Sequence, residues 1–449
     1  MNTFPKYETY KDSGIEWLGE IPAGWNLVPL RSIFRFRNEK NDPIKTEEVL
    51  SLSIASGVTK YSEEGRGGNK RKDDLTAYKL ARPNDIVINS MNVIVGAVGV
   101  SKYFGAISPV YYALYSNKED ALVSYYSCIF QNEGFQRGLL KLGKGILIKI
   151  SDSGKMNTIR MKVSQDDLKS LYFPKPSNEE QTAIAHFLDQ KTAQIDAAIA
   201  IKEQQIALLK ERKQILIQQA VTQGLDPTVP MKDSGVEWIG EIPAHWEVKK
   251  IKYLAQIFRG KFTHRPRNDP ALYDGEYPFF QTGDVARAGK YLKDFKQTLN
   301  EKGLKVSTLI PKGTVVITIA ANIGDVAILD IDACFPDSVV GFSPNSEIDR
   351  DFLYYSLGNM KQQFMDSSIK NTQMNLNVER IGANSTCRPP LAEQIEIVQF
   401  IEVQSNKIDD AVMLQQQQIE KLREYKTTLI NSAVTGKIRV TNNAVDVSI

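Results

Sequence analysis

Residues 11–25 read KDSGIEWLGEIPAGW, and residues 232–246 read KDSGVEWIGEIPAHW. Twelve of the fifteen positions are identical at an offset of 221. Self-similarity at this level marks an internal duplication, and a duplication governs every later reading of the fold. A second pair of blocks follows: EEQTAIAHFLDQKTAQIDAAI from Glu179 and AEQIEIVQFIEVQSNKIDDAV from Ala392, at an offset of 213. That register holds without a gap to Ala220-Val221-Thr222 and Ala433-Val434-Thr435. Each block follows a proline-bearing entry, Pro174-Lys175-Pro176 in one copy and Pro389-Pro390 in the other.

Between these blocks the halves diverge, but a frame survives. PNDIVINSMNVIVGAVGV from Pro83 aligns with PKGTVVITIAANIGDVAI from Pro311, with Pro83/Pro311 and Gly96/Gly324 at one offset of 228. Alternating β-branched residues bounded by proline and glycine read as paired strands. Each half is therefore a strand-rich module with its own intervening loops, as expected of one scaffold carrying two different binding surfaces.

The segments 179–222 and 392–435 contain neither proline nor glycine. Apolar residues recur at Ile184, Leu188, Ile195, Ile199, Ile206, Leu209 and Leu216, and again at Ile397, Ile401, Ile408, Val412, Ile419, Leu422 and Leu429. Steps of three, four and seven mark one helical face sustained as in a coiled coil. Each helix is expected to be on the order of 65 Å long, with Gly224 and Gly436 placed to stop it. Module one feeds the start of the first helix, and module two begins just after its end. The modules are then expected at opposite ends of a rod, with the second helix returning antiparallel along the first. A dimerisation coiled coil is the simpler rival, but a duplication within one chain favours an internal pair. The expected fold is α+β: two similar α/β modules separated by two long helices, with a pseudo-two-fold internal repeat. The expected boundaries are 1–176, 177–224, 225–390, 391–437 and a tail at 438–449.

Composition narrows the function. The chain has 449 residues, 42% hydrophobic and 24% charged, with a net charge of +3. That is an ordinary globular balance, so any affinity for nucleic acid has to come from local basic patches. Cys128, Cys334 and Cys387 are far apart and form no CxxC pair, which indicates neither a disulfide framework nor a zinc site and suits a reducing cytoplasm. The polar start MNTFPKYETYKDSG has no apolar signal region, and no run approaches a membrane span. No GxxxxGK[ST] phosphate loop occurs. Arg388-Pro389-Pro390-Leu391 lacks the amide and aromatic of an adenine methyltransferase motif, and no glycine-rich cofactor loop accompanies it. The nuclease-like Leu188-Asp189-Gln190-Lys191 falls on a predicted helix, a poor place for a metal. No catalytic residue and no metal ligand set is expected; His186 has no other ligand near it in sequence and reads as a surface residue.

Two stretches are candidate DNA-contacting loops. RGKFTHRPR at 259–267 holds four basic residues and no acidic one: Arg259, Lys261, Arg265 and Arg267, with Thr263 and His264 between them. Arginine and lysine neutralise phosphates, and they pair with guanine edges. Gln281 and Thr282, in an expected turn, are candidate readers of base edges. In module one, Arg66, Asn69, Lys70, Arg71 and Lys72 surround Gly67-Gly68, which would let backbone amides approach phosphates, although Asp73-Asp74 follows directly. Lys144, Lys149, Lys370, Asn371 and Gln373 are weaker candidates. A solvated basic loop is the plainer reading of each. The tryptophans Trp17, Trp25, Trp238 and Trp246 recur in both copies and are expected to pack rather than read bases.

The repeated SGxEWxGEIPxxW block, the repeated helices opening on Glu-Gln after proline, RGKFTHRPRNDPALYDGEYPFFQTGDV from Arg259 and KNTQMNLN from Lys370 resemble the specificity subunits of Type I restriction–modification systems. The resemblance covers essentially the whole chain. It implies a non-catalytic DNA reader for a bipartite target with a fixed spacer. It further implies double-stranded DNA, two modification subunits and restriction subunits as partners, with S-adenosylmethionine, ATP and magnesium on those partners and no cofactor here. Module one departs more from the family text, which implies a different half-target. A two-headed scaffold that binds no DNA is the rival class.

Overall fold

The computed structural model describes residues 4–54, 56–62, 72–146, 160–366 and 376–440. They form two compact units: one comprises the described residues up to Lys202 together with those from Gln417 onward, the other Glu203–Gln416. Each unit holds one module and parts of both long helices, Asn178–Gln223 and Leu391–Val434.

The repeated block folds identically twice. Strand Tyr10–Asp12 pairs with Glu20–Pro22, and Met231–Asp233 pairs with Glu241–Pro243 in the same register. Lys-Asp-Ser-Gly makes the turn: the Asp12 carboxylate accepts from the Gly14 N–H at 3.0 Å, and Asp233 accepts from Gly235 at 2.9 Å. Both glycines take positive φ, 66° and 71°, a conformation that costs a side chain but not glycine.

The divergent regions share a sheet. In the first unit the strand order is Arg35–Arg37, Tyr111–Tyr115, Ile86–Asn89 and Val98–Val100, all antiparallel. In the second it is Ala255–Arg259, Val339–Pro344, Val315–Thr318 and Val326–Leu329, with Tyr291–Leu292 added in parallel at the edge. The aligned Pro83 and Pro311 segments thus supply the same two neighbouring strands in each sheet. Gly96 and Gly324 occupy equivalent turns at φ 80° and 87°.

Each module is closed by the start of the long helix that follows it. Gln181 and Gln394 are both completely buried. The Gln181 amide donates to the carbonyls of Asp120 and Pro176, each at 3.1 Å, and accepts from the Leu122 N–H at 2.9 Å. Gln394 repeats the pattern with the carbonyls of Glu347 and Pro389, at 3.0 and 2.8 Å, and the Asp349 N–H at 2.7 Å. The preceding glutamates hold the tryptophans: the Trp25 indole donates to Glu180 at 3.2 Å, and that of Trp246 to Glu393 at 2.8 Å. Trp25 and Trp246 are buried, as the packing expectation requires, while Trp17 packs edge-on against Phe135. The Glu-Gln sequence and the distant tryptophan therefore form one clasp.

The helices pair antiparallel inside each unit. In the first, Asp196 binds Lys426 at 2.7 Å and Lys202 donates to Gln418. In the second, Lys213 binds Asp409 at 2.7 Å. The offset of 213 converts Asp196–Lys426 into Asp409–Lys213, so the ion pairs obey the internal symmetry. Ile184, Leu188, Ile195, Leu429, Ala433 and Val434 share the core of the first unit. Ala220, Val221, Ile397 and Ile401 share that of the second. Gly224 and Gly436 end the helices at φ 77° and 72°. A Cβ on Gly436 would lie 2.4 Å from the Pro22 side chain and 3.1 Å from Trp25, and one on Gly224 would lie 3.1 Å from Trp246.

Gln181→Ala leaves the buried Pro176 carbonyl, and the half-buried Asp120 carbonyl and Leu122 N–H, without their partner, at up to about 1–3 kcal/mol for a group left unsatisfied. Urea unfolding followed by tryptophan fluorescence is expected to show a lowered midpoint for this variant and for Gln394→Ala. A change at the exposed neighbour Thr182 is expected to shift the midpoint by less than about 0.5 kcal/mol equivalent.

Candidate nucleic-acid interface

The loop 259–267 leaves the edge strand Ala255–Arg259 of the five-stranded sheet. Gly260 is required there, because a Cβ would lie 2.2 Å from the Pro336 carbonyl oxygen. The next residues alternate. Phe262 is buried among Leu272, Phe279, Leu299 and Cys334, whereas Lys261 and Thr263 are exposed. The aromatic between the basic residues is therefore an anchor, and Lys261 N–H to the Phe335 carbonyl (3.1 Å) and Thr263 N–H to the Val306 carbonyl (3.0 Å) fix the loop beside it.

Its cations are held rather than splayed. Arg265 donates to its own loop's carbonyls, Phe262 at 2.9 Å and His264 at 2.8 Å. Arg267 binds the Asp337 carboxylate, Arg265 lies 3.9 Å from it, and Arg259 donates to the Asp337 carbonyl. His264 pairs with Asp269 at 3.1 Å. Asp337, seventy residues beyond Arg267 in sequence, is the organising acid that no local reading could have found.

Gln281 and Thr282 lie at a helix start and not in a free turn. Gln281 is the N-cap residue of Thr282–Arg287, and its backbone N–H donates to Asp284 at 2.8 Å. The Gln281 side-chain amide donates to Gln297 at 3.0 Å. Gln281 and Gln297 join Arg267, Asn268, Tyr273 and Asp274 around a concavity of about 420 Å³, with Phe262 and Phe279 also lining it. Two candidate stretches separated in sequence thus meet at one polar-rimmed, aromatic-lined hollow, and Gln297 and Asn268 are members that sequence reasoning missed.

A larger cleft of about 970 Å³ lies elsewhere in the same unit. Its lysines are already neutralised: Lys290 by Asp351 and Glu402, Lys361 by Asp325 at 2.6 Å, Lys213 by Asp409. Burial works against the Lys290 ammonium, but its bonds to Asp351 and Glu402 outweigh that and hold its pKa above the ordinary lysine value.

In the first unit, Lys72 is exposed, and its backbone N–H donates to the Tyr78 hydroxyl at 3.2 Å. Lys144 is exposed in strand Lys144–Ile146, which pairs with Arg160–Lys162. Arg66, Asn69, Lys70, Arg71, Lys149, Lys370, Asn371 and Gln373 lie outside the described residues. Among the described residues no group of three or more His, Cys, Asp or Glu side chains is placed to hold a metal, and no helix is long and apolar enough to cross a membrane. His186 is exposed beside Gln190, and the three cysteines are free thiols.

Residues 243–423 match the family model described as Type I restriction modification DNA specificity domain. Two proteins of Methanocaldococcus jannaschii are similar along almost their full lengths. The putative type I restriction enzyme MjaX specificity subunit is 25% identical, over 97% of this chain and 98% of the relative. The MjaVIII specificity subunit is 24% identical, over 98% of each. The chain is thus similar, along nearly its whole length, to proteins named as Type I specificity subunits, and its residues 243–423 match that family's domain. Its fold matches a chain from a structure of type I R-M system assembly and conformational transition, with TM-score 0.69, 14% identity and coverage of 92% of this chain and 98% of that one. It also matches the HsdS subunit of Thermoanaerobacter tengcongensis, with TM-score 0.51, 14% identity and coverage of 93% and 98%.

Asp337→Ala removes the carboxylate that binds Arg267 and lies beside Arg265, while the backbone carbonyl that holds Arg259 remains. These groups are exposed enough that the stability cost is expected to stay below about 1 kcal/mol. Fluorescence anisotropy with a duplex of arbitrary sequence is expected to show tighter binding at low salt, and a steeper decline with added salt, than for the unaltered chain.

Proposed function

We propose that this chain reads a bipartite DNA sequence for a Type I restriction–modification complex, one half-site per module, and performs no chemistry itself. The observation that carries the reading is one frame repeated twice with unlike loops: the clasp, the four shared strands and the helix ion pairs recur, while the basic loop 259–267 and its hollow lie in the part of the second copy whose sequence differs from the first. A two-fold set of identical structural elements suits two copies of one partner, here the modification subunit, and unlike loops suit unlike half-sites. Restriction subunits would join the same assembly. S-adenosylmethionine, ATP and magnesium are assigned to those partners, and the complex to the cytoplasm.

In the hollow, the guanidinium of Arg267 and the carboxamides of Gln281 and Gln297 present donors and acceptors of the kind that discriminate base edges. The Gln281–Gln297 bond limits the rotamers of both before DNA arrives, which reduces the entropy lost on binding.

Two outcomes test the reading. The purified chain alone is expected to show no methylation or cleavage, and sedimentation with the modification subunit is expected to give a complex containing two copies of it; a mixture that sediments as separate species refutes the assembly. Mapping adenine methylation in cells that carry the whole system is expected to give a split sequence. Arg267→Ala and Gln281→Ala are then each expected to weaken recognition of the same half by about 1–3 kcal/mol, or 5- to 150-fold, with the other half unchanged. Equal loss of preference in both halves refutes the assignment of one half-site to each module.

A further inference from the structure

The first unit brings together four lysines that lie far apart in sequence. Lys40 and Lys79 face each other across an antiparallel bridge. The bonds flanking it, Asn41 N–H to the Tyr78 carbonyl and Leu80 N–H to the Glu39 carbonyl, both 3.0 Å, make it a non-hydrogen-bonded pair. In such pairs the side chains stand closest. Lys144 and Lys162 are likewise direct cross-strand partners. Tyr112 connects the two pairs: the Lys79 ammonium lies 5.2 Å from the centre of its ring, and its hydroxyl donates to the carbonyl of Val163, the neighbour of Lys162, at 3.3 Å.

Like charges directly opposite each other in a sheet are destabilising. No ion pair offsets that here: no carboxylate among the described residues forms an ion pair with any of the four, whereas nearby Lys45 and Arg82 share Glu39. Lys79 is half-buried. Its ammonium donates to the Tyr111 carbonyl at 3.0 Å and lies 5.2 Å from the centre of the Tyr112 ring. Burial is the larger cause, and Lys162 the smaller, that lowers its pKa below the ordinary lysine value. The other three are exposed. The lysines of the second unit's large cleft, by contrast, have their carboxylates in place.

Accordingly, we infer that Lys40, Lys79, Lys144 and Lys162 form a phosphate-binding row that takes the sugar–phosphate backbone of DNA beside the half-site read by the first module. The inference rests on the DNA-reading function proposed above and adds the residues that hold the backbone. Spaced, unpaired cations match a chain of singly charged phosphates, and each phosphate supplies the missing counter-charge. The row carries no sequence information: ammonium groups that meet phosphates set position and register and leave the bases to other side chains. Lys79, tethered to the Tyr111 carbonyl, is the fixed member, and the exposed lysines adjust around it.

The test uses the full chain assembled with its modification subunit and a fluorescent duplex carrying the genomic methylation sequence. Binding is measured across a salt series for the unaltered complex, for Lys144→Gln with Lys162→Gln, and for Lys40→Gln. Both sets alter exposed side chains, so folding is not at stake. The slope of log binding constant against log salt is expected to fall by about 0.9 for each phosphate no longer neutralised, and so by about 1.8 for the double variant. The methylated sequence in cells is expected to stay the same. A control pair in the same unit, Lys102→Gln with Lys118→Gln, both exposed, is expected to leave the slope unchanged. An unaltered slope in the double variant, or an equal drop in the control pair, overturns the inference while the DNA-reading function stands. Loss of the modification subunit with an unaltered slope also overturns it, since the row would then face an acidic protein surface. Failure of the unaltered complex to bind the duplex refutes the underlying function instead.

Discussion

The clasp at the start of each long helix is the constraint on which the rest depends. A buried glutamine side chain makes three hydrogen bonds to backbone groups that belong to no regular ladder. Those groups sit at the joint between the helix and the module before it. Without the amide they would be buried and unpaired, so joint and burial form together or not at all. The adjoining glutamate reaches the indole of a tryptophan some 150 residues away in sequence. That tryptophan packs on the glycine that ends the other long helix: Gly436 against Trp25, Gly224 against Trp246. Three repeated signals, Glu-Gln, Trp and the terminal Gly, are thus parts of one contact made twice. Each helix is fastened by its first turn to one module and by its last residue to the other module's tryptophan.

This arrangement leaves the loops free to differ. The strands at Ile86–Asn89 and Val315–Thr318 sit inside their sheets, and the clasps fix the module ends. Neither task involves the segments after Arg37 or after Arg259. The differences lie outside those elements: in the second unit a glycine-threaded arginine loop and the Gln281–Gln297 pair, in the first a row of lysines at 40, 79, 144 and 162. A scaffold that isolates stability from surface chemistry can change what it binds with little cost to folding. The shared geometry of the two copies and the divergence of their loops are then two sides of one physical division of labour.

Much of this was legible in the residues, and the limits have identifiable causes. The helices were plain because a 3.6-residue period sustained for more than forty residues has few other meanings, and their observed limits, Asn178–Gln223 and Leu391–Val434, lie within a few positions of those expected. The shared strands were visible from the Pro83 and Pro311 frames because β-branched alternation between proline and glycine is local. The tryptophans were read as packing residues, but not as partners of the Glu-Gln pair, since a hydrogen bond across about 150 residues leaves no periodic trace. In sequence Gln281 and Thr282 read as a turn; the capping carboxylate of Asp284 makes Gln281 a helix start.

The charged sites were the least legible, for a reason that extends beyond this chain. A run such as RGKFTHRPR shows how many cations a segment carries but not what each already binds. In the folded loop Arg265 spends its donors on its own carbonyls and Arg267 on Asp337. The run is therefore a built rim more than a free basic patch, and its specificity comes from held geometry. The lysines at 40, 79, 144 and 162 show the opposite case. None stands in a basic run, yet strand register sets two pairs face to face, and no carboxylate among the described residues forms an ion pair with them. What an anion meets on a protein surface is the charge left after internal pairing, and that remainder is decided by register and by distant acids. Counting basic residues along the chain overstates the first site and passes over the second. The same reasoning explains how a chain with a net charge of only +3 suits a polyanion: its lysines and arginines are almost balanced by acids overall, but the balance is met inside the cleft and the helix pair and left open where strands set lysine against lysine.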